Sequence, residues 1–72
     1  MNTYYSLRIY TSFLEKNGFS FELFTIENSI WQKDDKIIFV SVLDTVSIIE
    51  ISQGLERAEL SMEDFLKFAN PK

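Results

Sequence analysis

The four successive apolar residues Ile37-Ile38-Phe39-Val40 constrain this chain's fold more than any other feature. Side chains alternate between the two faces of a strand, so such a run suits a central strand with something packed on each side of its sheet. The run predicts a strand over Lys36 to Val42, with Ile37 and Phe39 on one face and Ile38, Val40 and Val42 on the other. A chain of 72 residues has room for one domain and one core, 1–72, because chains this short bury only about 60% of the surface their unfolded form exposes.

The usual supports for so small a core are disulfides, a structural metal or oligomerisation. The chain has no cysteine and no histidine, which removes the first and weakens the second. Its composition, 46% hydrophobic and 15% aromatic, favours dense packing and self-association, so a homodimer is expected.

Around the central strand the sequence reads as α+β. Thr3 to Asn17 predicts an N-terminal helix capped by Asn2 or Thr3, with Thr3, Leu7, Tyr10 and Leu14 recurring at helical spacing and Gly18 ending it. From Phe19 the period changes. Phe19, Phe21 and Leu23 alternate with Ser20 and Glu22 in a first strand reaching about Ile26, and Ser29 to Lys33 forms a second. Asp34-Asp35 turns into the central strand, and Leu43-Asp44 turns into a last strand over Thr45 to Ile51 that ends at Ser52-Gln53-Gly54. The short connections predict an antiparallel meander of three to four strands, with a short extra edge strand at Arg57 to Leu60. Ser61 and Asp64 have capping-box spacing, Leu60 can staple onto Phe65, and a C-terminal helix carrying Met62, Phe65, Leu66 and Ala69 on one stripe closes at Asn70-Pro71.

This arrangement leaves a surplus. Two short helices cover about one face of a four-stranded sheet, yet the central strand is apolar on both faces, and on the expected last strand Val46 and Ile48 oppose Ile49 and Ile51. Either the helices sit on opposite faces, or the sheet pairs with another molecule, since soluble monomers rarely expose large apolar patches.

The chemistry of the chain excludes more than it suggests. Without His or Cys the common nucleophile and base arrangements cannot be built, and zinc loses its preferred ligands. Asp34-Asp35 and Glu63-Asp64 lack calcium-loop spacing and read as a hairpin turn and a helix first turn. Gly18 and Gly54 are isolated, so no phosphate-binding loop is present, and no cofactor is expected. With 7 basic against 11 acidic residues, a net charge of -4 and scattered Lys and Arg, the chain is not expected to bind nucleic acid directly. No apolar run reaches bilayer length and no signal segment opens the sequence, which predicts a cytoplasmic protein without membrane contact.

These exclusions point to a non-enzymatic protein-binding mini-domain of the inhibitor or adaptor type, engaging a macromolecular partner, a basic one by charge, through an acidic and aromatic surface. Trp31 is the leading contact candidate, because tryptophan is enriched at binding hot spots, followed by Tyr4, Tyr5 and Phe68 off the main helical stripes. The abundance of Ile, Asn, Lys and Phe points to an AT-rich microbial or phage genome. In that setting an inhibitor of a host defence nuclease, of the anti-CRISPR type, would place Glu22, Glu27, Asp34, Asp35 and Asp44 where phosphates sit. The competing expectation is a small-ligand or regulatory domain with an apolar pocket between sheet and helices. No motif in the chain is specific enough to name a family.

Overall fold

The computed structural model describes residues 3–71 and has an α+β fold, in the order β1 (Tyr4–Ser6), α1 (Leu7–Lys16), β2 (Ser20–Phe24), β3 (Asn28–Lys33), β4 (Lys36–Ser41), β5 (Thr45–Ser47), α2 (Ile48–Ala58) and α3 (Met62–Ala69). The strands β2-β3-β4 form an antiparallel meander, while β1 and β5 pair with each other in a separate two-stranded ladder.

Each helix begins at a serine whose hydroxyl accepts the backbone N–H three residues on. Ser6 accepts from Ile9, Ser47 from Glu50 and Ser61 from Asp64, each at 3.2 Å, which satisfies one otherwise orphaned donor per helix. The N-terminal helix is therefore shorter than its periodicity suggests. Tyr4 to Ser6 is extended and pairs with β5, so the cap is Ser6 rather than Thr3, and Asn2 lies outside the described residues. At the other end, Gly18 takes φ 95° and Phe19 N–H donates to Leu14 C=O, the closing turn that the Asn17-Gly18-Phe19 sequence predicts.

The largest departure falls on the expected last strand. Only Thr45–Ser47 is extended, and Ile48–Ala58 is helical through the Ser52-Gln53-Gly54 stretch. Strand propensity favours Ile48, Ile49 and Ile51, but tertiary burial decides: Ile51, Leu55 and Ala58, at helical spacing, are the residues of α2 buried in the core. The helix then ends at Glu59, which adopts φ 59° while Leu60 N–H donates to Leu55 C=O. That closing turn replaces the short edge strand expected over Arg57 to Leu60. Leu60 packs half-buried against the core.

The core lies on one side of the meander. Tyr10, Phe13 and Leu14 of α1, Ile51 and Leu55 of α2 and Phe65 of α3 are buried together with Ile38 and Val40. Phe65 meets the rings of Tyr5, Tyr10 and Phe13 edge-on, with centroids 5.2, 6.1 and 5.4 Å away.

The Tyr10 side chain reaches from α1 to α2, where Gly54 faces its hydroxyl so closely that a Cβ at position 54 would overlap Tyr10 Oη. Glycine inside a helix costs about 1 kcal/mol relative to alanine, and the contact with the Tyr10 hydroxyl is what requires it here. We expect Gly54→Ala to lower stability by about 2 kcal/mol or more despite its better helix propensity. In a Tyr10→Phe background the nearest ring atom to the added methyl is at 3.4 Å, an ordinary contact. The same substitution there is expected to cost less than about 0.5 kcal/mol, a non-additivity that urea denaturation of the four proteins measures.

The Tyr10 hydroxyl is buried and has no hydrogen-bond partner among the described residues. Burial, reinforced by the Glu50 carboxylate, pushes its phenol above the ordinary value of 10.0. The folded state therefore keeps a proton that the unfolded chain releases above pH 10.0, so this group's stability is complete below that pH and is lost as pH rises toward the folded-state value. Urea midpoints recorded between about pH 8 and 11 are expected to fall for the wild type and to fall less for Tyr10→Phe.

Candidate functional site

The helices pack on the face of the meander that carries Ile38 and Val40, and the opposite face is left open. Cross-strand register sets Leu23, Ile30 and Phe39 side by side across the three strands, with Gln32 and Ile37 paired next along. Phe39 is 53% exposed, Leu23 50% and Ile37 46%, while Ile38 and Val40 between them are fully buried. None of these five outward positions carries a charge. Charge depletion around an apolar centre is the compositional mark of an interface core.

Strand β2 is at an edge of the meander, and all five of its residues are exposed. One extra residue between Phe21 and Leu23 shifts the register, so Leu23 pairs with Ile30 on the open face while Phe21 and Phe24 pair with Trp31 and Ser29 on the helix side. On that side β2 overhangs the helices. Phe21 and Phe24 stack at 4.7 Å, Phe21 meets Trp31 edge-on at 5.8 Å, and together with Leu7 and Thr11 of α1 they line a groove of about 320 Å³ with Arg8 on its rim.

The expected contact residues are dispersed. Trp31 is buried in mid-strand, and its indole N–H donates to Ser29 Oγ at 3.0 Å. It seals the sheet and forms the groove floor. Tyr5 packs on Phe65, Phe68 packs on Phe13 beneath the Lys16 ammonium, and Tyr4 is exposed on β1. Of the carboxylates, Glu22 lies at the β2 irregularity, Asp34 and Asp35 form the β3-β4 turn, and Glu27 and Asp44 fall at the other end of the meander, where Val42 N–H donates to Glu27 C=O. All five are exposed. Asp34 and Asp35 are separated from Glu27 and Asp44 by the length of a six-residue strand, roughly 20 Å, with Glu22 within β2, so the five carboxylates do not gather into one patch.

A second depression of about 590 Å³ lies between β4 and α2, lined by Ile38, Phe39, Glu50, Gln53, Gly54 and Arg57. Its carboxylate is already engaged: Glu50 Oε2 accepts from Ser41 N–H at 2.9 Å and Oε1 from Ser41 Oγ at 3.0 Å. This pair of bonds ties the first turn of α2 to the end of β4, the other edge of the meander. Among the described residues no group of three or more His, Cys, Asp or Glu could hold a metal ion, and no helix is long and apolar enough to cross a membrane.

Comparison with protein-family models, with curated proteins and with solved structures finds no match to the chain.

The Glu50–Ser41 bonds give a direct check on how β4 is held. Glu50→Ala removes both, leaves a half-buried N–H without its acceptor, and is expected to cost about 2 kcal/mol. Ser41→Ala loses only the hydroxyl bond and is expected to cost about 1 kcal/mol or less, as chemical denaturation measures.

Proposed function

We propose that the chain is a non-enzymatic protein-binding module, of the inhibitor or adaptor type, whose contact surface is the open face of the β2-β3-β4 meander. One observation carries this reading. The three helices leave Leu23, Ile37 and Phe39 uncovered on an uncharged face, although the same strands bury Ile38 and Val40 completely on the other. An apolar sheet face of this kind is an interaction surface by the ordinary economics of burial. Its partner is a protein presenting an apolar patch of its own, with the central Phe39 as the anchor and the carboxylates at the two ends of the meander on the rim. Inhibition of a nucleic-acid-binding enzyme fits within this reading, with Glu27 and Asp44 at one end supplying charge complementary to a basic rim. The carboxylates do not form the continuous acidic track that phosphate mimicry requires, because Asp34 and Asp35 lie at one end of the meander, Glu27 and Asp44 at the other and Glu22 within β2.

The triple variant Leu23→Lys, Ile37→Lys and Phe39→Lys tests this surface. All three positions are exposed, so its thermal transition is expected to stay cooperative and within a few degrees of the wild type. A partner captured from the native host by the wild-type protein is expected to be lost, and to be retained by a control variant on α3, Glu63→Lys. Retention by the triple variant would overturn the reading. A rise in melting temperature with a metabolite, with no protein partner found, would favour the small-ligand alternative.

A further inference from the structure

The aromatic groove on the helix side of β2 is a different surface from the open face, and its composition describes its occupant. Its apolar walls are Leu7, Phe21, Phe24 and Trp31, and the polar groups that line it are engaged internally: the Thr11 hydroxyl donates to Leu7 C=O, the Ser29 hydroxyl to Val40 C=O and the indole N–H to Ser29 Oγ. A polar group entering it would therefore lose water without gaining a partner. The rim is different. Arg8 is exposed and forms no salt bridge among the described residues. The groove thus fits an aliphatic side chain immediately followed by a carboxylate.

The chain itself presents that pair. Ile26, at the tip of the β2-β3 hairpin, is 97% exposed, more than any other large apolar side chain described, and the next residue is Glu27, exposed and without a salt bridge among the described residues. Neither can serve its own groove, because both project into solvent from the turn just beyond Phe24. That same hairpin carries a groove wall, Phe24, which is 69% exposed, two residues from the tip. Groove and tip being adjacent on one element is the condition for an isologous contact, in which a twofold axis near Thr25 gives each partner's tip to the other's groove.

We infer that the groove binds a second copy of this chain, Ile26 of each protomer seating against Phe21, Phe24 and Trp31 of the other and Glu27 pairing with Arg8 across the interface. Two reciprocal ion pairs also offset the repulsion between chains that each carry a net charge of -4. Oligomerisation is one of the few supports open to a cysteine-free domain of this size.

Sedimentation velocity over a concentration series tests the contact through charge reversal. The wild type is expected to be dimeric at about 100 μM. Arg8→Glu and Glu27→Arg are each expected to raise the dimer dissociation constant about tenfold or more, and the double variant Arg8→Glu/Glu27→Arg to return it to within about threefold of the wild type. Ile26→Ser is expected to weaken the dimer without changing the circular dichroism spectrum, since its side chain touches almost nothing in the monomer. A monomeric wild type at that concentration would overturn the inference. So would single reversals that leave the dimer intact, or a double variant no better than either single. The lysine variant of the open face is expected to remain dimeric. If it were the variant that became monomeric, the two copies would meet through the open face instead, and this groove would be excluded.

Discussion

The close approach of Tyr10 to Gly54 is the constraint on which the rest of the structure depends. A glycine in the middle of α2 leaves room for the Tyr10 hydroxyl that reaches it from α1, and Ile38 of β4 lies beside the same glycine, its Cγ2 3.6 Å from where a Cβ would stand. Three elements separated in sequence thus meet at one point. The antiparallel ladder of β1 and β5 fixes the approach, since each of its strands ends in the serine that starts a helix: Ser6 for α1 and Ser47 for α2. Phe65 of α3 then closes the aromatic cluster over Tyr5, Tyr10 and Phe13.

The consequence is a one-sided molecule. The helices cover β3 and β4 on the Ile38 and Val40 face and leave β2 and the other face exposed. The open face and the groove, both left apolar, differ in character. The open face is broad and uncharged, which suits a protein partner. The groove under β2 is narrow, aromatic and rimmed by one arginine, which suits the hairpin tip of a second copy. Because the two surfaces lie on opposite sides of the meander, a dimer formed through the groove leaves the open face available.

Much of the fold was legible in the sequence, and the limits are instructive. The α1 stop at Gly18, the β3-β4 hairpin and the Ser61 cap were readable because each rests on local backbone chemistry. The helix α2 was not, although Ser47 and Glu50 stand at the same capping-box spacing that marked Ser61 and Asp64. Three isoleucines in Ile48-Ile49-Glu50-Ile51 carry strand propensity, and only tertiary packing of Ile51, Leu55 and Ala58 outweighs it. Gly54 read as a strand terminator because its purpose, the approach of Tyr10, is a contact between residues 44 positions apart. The surfaces were partly legible. Alternation placed Ile37 and Phe39 on one face of β4, but which face the helices take is a property of the whole fold. Trp31 drew notice as a tryptophan among polar neighbours, yet it is buried, while Arg8 and Ile26 gave no signal in isolation.

Solvent access to the isoleucine and valine side chains of β4 tests the central claim most directly. In an NMR experiment with a soluble paramagnetic probe, Ile37 and Leu23 are expected to relax strongly, while Ile38 and Val40 stay protected. Equal protection of Ile37 and Ile38 in dilute monomeric protein would mean that helices cover both faces, and would contradict the one-sided packing.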